Sequence, residues 1–454
     1  MLRGVPDKLL EQGLEGAVES LNFPEAPRLP SSEAIDPSSE SESTAIGVIR
    51  CEECGLSQRT PALADEQTLH CRRCGAHLYK QVRNTVDRTL ALIVAALVLL
   101  AIANATPFMT FAFKGRAESN YILSGVIKLW QHGYWPLASL ICFASILAPF
   151  AYILGMLYVL VPLRFGRRPW KVGPIFRRLD ALRPWAMLDV YMFGVFVAVV
   201  KLSQLASISP GTGLYAYVAL FLVWTAALAG LDAQVVWSRI GPSPSLDSLP
   251  TGIGPGWIMC PTCRLTAQKD PALHESSFRC PRCQGSMDAR KNAPLSRTWA
   301  FLIAATILYV PANTLPILEI TVMGKTQKAT IFEGVRELVS NGMWVIGSIV
   351  FTASILVPTL KIVGLAALCL SVQSKSTRLY NDRALLYRWI ETIGRWSMID
   401  MFMVSILVAL VQIGGLATIL PEPGALCFAA VVVLTMFAAT AFDPKMIWDK
   451  LEES

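Results

Sequence analysis

Cys51-x-x-Cys54, followed after sixteen residues by Cys71-x-x-Cys74, returns 209 positions later as Cys260, Cys263, Cys280 and Cys283, again with sixteen residues between the pairs. Each quartet stands just ahead of a long apolar stretch, so the repeating unit is a metal-binding knuckle joined to a membrane bundle. The register continues beyond the cysteines. Asn104 and Pro107 recur as Asn313 and Pro316, Gly133-Tyr-Trp135 as Gly342-Met-Trp344, and Ala144-Ser-Ile-Leu147-x-Pro149 as Ala353-Ser-Ile-Leu356-x-Pro358. After a two-residue insertion the offset is 211, and Trp185, Met187, Asp189, Asp232 and Trp237 match Trp396, Met398, Asp400, Asp443 and Trp448. A period of about 200 residues is too long for a solenoid and fits a fused duplication, the internal symmetry common in transporter folds.

With 53% hydrophobic and 16% charged residues and a mean hydropathy of +0.47, the chain falls outside the soluble average of roughly 25% charged residues. Windows of about 20 apolar residues, enough to cross the hydrocarbon core, lie near 89–111, 136–160, 187–207, 214–236, 298–320, 345–370, 398–420 and 424–442. The fold class is therefore an all-α polytopic membrane protein of eight helices, two tandem four-helix repeats with a small ribbon ahead of each. Expected boundaries are a polar tail at 1–45, ribbon 1 at 46–82, repeat 1 at 83–240, a linker at 241–255, ribbon 2 at 256–291 and repeat 2 at 292–450. No cleavable signal precedes the first span. The segment from Arg164 to Arg183 holds seven Lys and Arg against one acid, Asp180. Its repeat counterpart carries Lys375, Arg378, Arg383, Arg388 and Arg395, and the stretch from Arg72 to Arg88 is also basic. The positive-inside rule then places both ribbons and both termini in the cytoplasm. The net charge of +7 reflects these loops, which suit anionic lipid better than nucleic acid.

Two CxxC pairs bring four thiolates into tetrahedral reach, so each quartet reads as a structural zinc site: two Zn2+ per chain. A four-thiolate site is closed and not catalytic, and metal binding supplies much of the folding free energy of so small a unit. Redox-active dithiols, unpaired thiols or bound iron are the alternatives. His70, His77 and His274 read as surface histidines, and Cys142, Cys369 and Cys427 as packing residues within spans.

Ionisable and polar groups inside the spans form the second informative set, because burying a charge in hydrocarbon costs several kcal/mol unless it is paired or hydrated. Lys361 lies in the sixth span, Asp400 opens the seventh and Thr435 sits in the eighth, where a compact bundle lets them converge with Ser354 and Ser397. Asp189 and Lys201 share the third span. Either Lys361 and Asp400 form a buried functional pair, or Asp400 pairs with basic loops and Lys361 snorkels to the headgroups. The counterparts of Lys361 and Thr435 are Tyr152 and Trp224, so polarity concentrates in the second half. Asn104-x-x-Pro107 and Asn313-x-x-Pro316 end the first span of each half, as a kink or a gate, and Trp135 and Trp344 read as interfacial anchors. No Walker motif, nucleophile elbow, HExxH or supported GxGxxG is present, so no enzyme is expected.

Taken together, the two CxxC ribbons, each heading a four-span unit with Asn-x-x-Pro, Ala-Ser-Ile-Leu-x-Pro and Trp-x-Met-x-Asp, resemble the paraquat-inducible protein A family, which includes the lipophilic envelope-spanning tunnel proteins. The resemblance covers about residues 45 to 450. It implies an inner-membrane protein of Gram-negative bacteria that loads phospholipid into, or receives it from, a periplasmic tunnel formed by a separate MCE-domain partner. It further implies a polar transport pocket lined by Ser354, Lys361, Ser397, Asp400 and Thr435, with Asp189 the first-half candidate and Lys201 beside it. The other readings are a stand-alone small-molecule or redox-stress exporter and a scaffold that moves nothing itself.

Overall fold

The computed structural model describes residues 47–60, 67–80, 84–113, 116–167, 170–202, 207–241, 257–268, 279–287, 293–322, 325–340, 342–374, 380–413 and 417–449. The expected tail at 1–45, the linker from 242 to 255, and His274 lie outside them. Among the described residues eight helices are long and apolar enough to cross a membrane, four in each half, and the chain is a multi-pass membrane protein.

The first half opens with two hairpins, β1 (Gly47–Arg50) with β2 (Ser57–Thr60) and β3 (Thr68–His70) with β4 (His77–Lys80). The spans α1 (Thr85–Ala105) and α3 (Trp135–Arg164) follow, separated by strands β5 (Met109–Phe113) and β6 (Arg116–Asn120) and the short α2 (Ile122–Gln131). Then come α4 (Val172–Leu182), α5 (Leu188–Leu202), β7 (Ser207–Pro210), α6 (Thr212–Gly230) and α7 (Ala233–Ile240). The second half repeats the order with β8 (Trp257–Met259), β9 (Thr266–Gln268), α8 (Pro294–Thr314), β10 (Leu318–Val322), β11 (Lys325–Ala329), α9 (Ile331–Ser340) and α10 (Trp344–Gln373). It ends with α11 (Tyr380–Gly394), α12 (Ile399–Leu410), β12 (Gln412–Ile413), β13 (Ala417–Pro421) and α13 (Pro423–Ala441). From α1 to α3 the elements coincide residue for residue with those from α8 to α10 at an offset of 209, and α6 coincides with α13 at 211.

The sequence predicts a helix for 398–420, yet α12 stops at Leu410 and Ala417–Pro421 is a strand. The reason is pairing: β13 runs antiparallel to β10, Ile320 opposite Ile419, and β7 does the same to β5, Phe111 opposite Ile208. These small sheets join the ends of the first and fourth spans, which pack lengthwise on each other in both halves. The Asn-x-x-Pro motif is part of the same junction. Asn104 and Asn313 donate to the carbonyls of Leu100 and Tyr309 at 2.8 and 2.9 Å, folding each side chain back onto the last turns of its own helix. The carbonyls of Pro107 and Pro316 accept from Gly213 and Gly424, which open α6 and α13.

Both long second spans contain a π-turn, at Phe143–Leu147 and Thr352–Leu356. The cause is Pro149 and Pro358, which have no N–H to return to the preceding turn, so the ladder widens locally. Ser145 and Ser354 sit on the widened turns and donate to Ile141 and Val350, each at 2.7 Å.

The two halves meet at α12, whose twelve residues are all buried. It packs on α5, α2 and α3 of the first half. Gly125 of α2 faces Ser405 so closely that a Cβ there would stand 2.6 Å from the serine carbonyl oxygen, and Gly194 of α5 faces Phe402 in the same way at 2.9 Å. Lys128 donates to the Ala409 carbonyl at 2.8 Å, placing a cation at the C-terminal end of α12 where the helix dipole favours it. Gly334, the counterpart of Gly125, has open space around it. Gly125→Val should therefore destabilise the protein by roughly 1–3 kcal/mol through overpacking, whereas Gly334→Ala should be neutral or stabilising by about 0.5–1 kcal/mol. Melting in detergent, followed by size-exclusion fluorescence, checks both; equal effects at the two glycines would contradict the asymmetric junction.

Candidate functional site

Each cysteine quartet is gathered by two tight knuckles. The N–H groups of Cys51 and Cys71 donate to the carbonyls of Leu56 and Ala76, and Gly55 and Gly75 donate N–H bonds back to the two cysteine carbonyls. That closure needs positive φ, supplied by Gly55 and Gly75 in ribbon 1 and, at greater backbone cost, by Arg264 and Gln284 in ribbon 2. The sulfurs of each quartet lie within 4.8 Å of one another. Cys51 and Cys74 are 3.6 Å apart, Cys54 and Cys71 3.5 Å, and both pairs of ribbon 2 3.4 Å. A tetrahedral shell with metal–sulfur bonds of about 2.3 Å places its sulfurs roughly 3.8 Å apart, so the cages fit a bound ion. Electrostatics agree. Hydrogen bonds from Cys54 and Cys74 hold Cys51 down to about 2, while donation to Cys51 pushes Cys74 up to about 12. In ribbon 2 the neighbouring thiols, Cys260 first, hold Cys280 far below its ordinary value. A dication would be held by the four thiolates in place of these shared protons. Either quartet can hold a metal ion. His70 and His77 are exposed beside the first and take no part in it.

The ribbons do not dock on the bundles they precede. Arg388 of α11, in the second half, donates to Glu53 at 2.7 Å and to the Cys74 carbonyl at 2.7 Å, and Arg73 stacks over Trp448. Ribbon 1 thus shares a core with Leu365, Leu368, Ala384, Tyr387 and Trp448. Ribbon 2 goes to the first half: Gly173 of α4 abuts the Arg282 carbonyl, and Arg177 lies against Gly285. Arg177 and Arg388 are counterparts at the 211 offset, so one contact is made twice with partners exchanged. The ribbons also touch, Arg264 bonding Glu52 at 3.3 Å and the Leu78 carbonyl.

Lys361 is 2% exposed in the middle of α10. Its ammonium donates to Thr435 of α13 at 3.0 Å and to the Gly394 carbonyl at 3.3 Å. Gly394 is the last residue of α11, so Lys361 supplies a donor to a helix C-terminus that needs one. Glycine gives the lysine its closest fit here, because a Cβ at 394 would stand 3.1 Å from Lys361 Cε and push the side chain aside. Of the sequence-predicted residues the structure therefore joins Lys361 and Thr435. No ion pair links Lys361 to Asp400 among the described residues. Ser354 lies two turns before Lys361, its hydroxyl turned back to Val350. Ser397 and Asp400 follow Gly394 at three-residue steps and are buried, the Ser397 hydroxyl without a hydrogen-bond partner among the described residues. Asp189 is half-buried at the start of α5, and Lys201 lies near its end with its side chain outside the described part. In the first half the counterparts of Lys361 and Thr435, Tyr152 and Trp224, meet edge to face with ring centroids 5.1 Å apart. One inter-helix contact is thus polar in one half and aromatic in the other. Gly394 escaped sequence reading, since nothing in its local pattern announces a lysine partner, whereas the matched Arg177 and Arg388 were visible at the repeat offset.

These features define a duplicated multi-pass membrane protein with two four-cysteine ribbons and a polar seam in its second half. The chain belongs to the family described as Paraquat-inducible protein A, which matches residues 86–241 and 295–452, one block per repeat. It is 33% identical over 414 residues to an intermembrane transport protein PqiA of Escherichia coli K12, covering 89% of this chain and 96% of that one. A lipophilic envelope-spanning tunnel protein A of the same organism is 31% identical over 404 residues, covering 89% and 91%. A probable intermembrane transport protein of Haemophilus influenzae is 27% identical over 415 residues, covering 91% and 98%. These relatives are named as transport proteins, not enzymes. No solved structure matches the chain.

Cys51→Ser and Cys260→Ser should each remove one of two bound metal equivalents in elemental analysis of purified protein; unchanged stoichiometry would contradict the cages. Arg388→Ala, which removes charge-assisted bonds to a partly exposed partner, should weaken ribbon 1 docking by roughly 1–2 kcal/mol. Limited proteolysis should then cut ribbon 1 faster while ribbon 2 keeps its wild-type rate.

Proposed function

We propose that this protein is the inner-membrane component of an intermembrane lipid transport system, loading phospholipid into a periplasmic MCE-domain tunnel or receiving it from there. The observation that carries the reading is the buried Lys361–Thr435 contact, a charged seam within the spans of a chain whose relatives are named intermembrane transport proteins. Such a group is costly in hydrocarbon and is retained where polar cargo passes. Ser354, Ser397 and Asp400 extend the polar lining along α10 and α12, with Asp189 and Lys201 on the first-half side. The two ribbons carry structural zinc, one ion each, in the cytoplasm with both termini, as the basic Arg164–Arg183 segment indicates. The proposed roles are those of a carrier and its scaffold; with no nucleotide motif in the chain, energy comes from ions, from the lipid gradient or from another subunit.

Native mass spectrometry of protein released gently from its own membrane should show two zinc ions, phospholipid and an MCE-domain oligomer. Lys361→Ala and Asp400→Ala should lose bound phospholipid by about ten- to hundredfold, the worth of a buried charged hydrogen bond, at normal expression. Full lipid retention in both variants would overturn the pocket, and protein with zinc but neither lipid nor partner would favour a stand-alone exporter.

A further inference from the structure

The Lys361 seam opens into a cleft of about 280 Å³ whose walls come from both halves. Arg183, from the turn between α4 and α5, faces it from the first half, and Lys361, Glu391, Thr392 and Thr440 line it from the second. Arg183 and Glu391 are exposed at the cleft while Lys361 is 2% exposed, so the cleft leads from the surface to a buried ammonium. Its charges are arranged for a ligand carrying both signs. Lys361 has three N–H groups and gives two to Thr435 and Gly394, leaving one for a ligand. Arg183 presents a planar guanidinium, whose fork suits phosphate oxygens. Glu391 supplies a carboxylate on the same wall. The volume suits a headgroup and is far too small for two acyl chains, which would trail into the bilayer past Phe437, exposed on α13 and in ring contact with Trp185. Among the described residues the matching position in the first half differs: the counterpart of Arg183 is Gly394, and Tyr152 with Trp224 fills the contact that Lys361 and Thr435 make. The site is therefore single and lies across the seam.

We propose that this cleft is a headgroup site for a zwitterionic phospholipid, its phosphate held by Arg183 of the first half and Lys361 of the second and its amine facing Glu391. The assignment rests on the lipid-transport reading and adds to it a first-half residue and a charge selectivity. The test uses the full-length protein, delipidated in detergent and titrated with phosphatidylethanolamine, phosphatidylglycerol, diacylglycerol and inorganic phosphate, with bound species followed by native mass spectrometry. Phosphatidylethanolamine should bind in preference to phosphatidylglycerol. Arg183→Ala should weaken it by about tenfold, Arg183→Lys should restore part of the loss, and Glu391→Gln should erase the preference between the two lipids. Diacylglycerol, which lacks the phosphate, should bind equally to wild type and Arg183→Ala. Arg183 is on an exposed turn, and a melting temperature equal to wild type is the check that each variant folds. Phosphatidylethanolamine bound equally by wild type and Arg183→Ala, or diacylglycerol lost to the same degree, overturns the site. Inorganic phosphate displacing the lipid with the same Arg183 dependence reassigns it to free phosphate and overturns the lipid source. A wild type that binds no phospholipid at all defeats the transport reading itself, a result separate from failure at Arg183.

Discussion

The structure depends on one helix that has left its own half. A transmembrane helix ordinarily keeps a face for lipid, but all twelve residues of α12 are covered, and the cover comes largely from α5, α2 and α3 of the first half. In a bilayer there is no hydrophobic drive between helices, so such a junction rests on close packing and polar contacts. Here Gly125 and Gly194 let the backbones approach, and Lys128 closes the helix end. Because α12 occupies the first half's flank, the matching flank beside Gly334 stays open and the duplicated halves are not equivalent in space. The same displacement sets the Arg183 turn opposite Lys361 and so creates the seam.

Duplication allowed one inter-helix contact to take two chemistries. Tyr152 and Trp224 fill it with rings, a dispersion contact that stabilises through area and edge-to-face geometry. Lys361 and Thr435 fill it with a charge that is tolerable only because a hydroxyl and a helix-end carbonyl receive it. The first copy is closed by rings and the second holds a buried charge. The crossed ribbons bind this asymmetric pair together on the other side: each grips the opposite bundle, Arg388 holding ribbon 1 and Arg177 lying against ribbon 2. Since Arg388 stands on the helix that ends at Gly394, ribbon docking and the Lys361 seam share a single rigid element.

Much of this was legible in the residues, and the rest was not for identifiable reasons. Eight spans and the duplication follow from apolar length and from one register of matched motifs, and the cysteine spacing foretold the two cages because tetrahedral ligation admits few spacings. The strands between the spans were missed because the β5–β6 and β10–β11 hairpins are short and lie between helices, and each sheet is completed by a strand distant in the chain, β7 in the first half and β13 in the second. For Lys361 the residues left two readings open, a pair with Asp400 or a snorkelling side chain; its hydrogen bonds go to Thr435 and to a carbonyl at a glycine helix end. Backbone acceptors carry no sequence signature. The crossing of the ribbons was equally hidden: the two ribbons have similar sequences and face matched arginines, so local pattern allows either docking, and only the threading of the chain decides.

The most direct test of the claim that transport belongs to the second half's polar seam is to give that half the first half's chemistry. The double variant Lys361→Tyr with Thr435→Trp, measured for phospholipid transfer between reconstituted membranes alongside its melting temperature, should remain folded and lose transfer. A folded double variant that moves phospholipid at the wild-type rate would contradict the account.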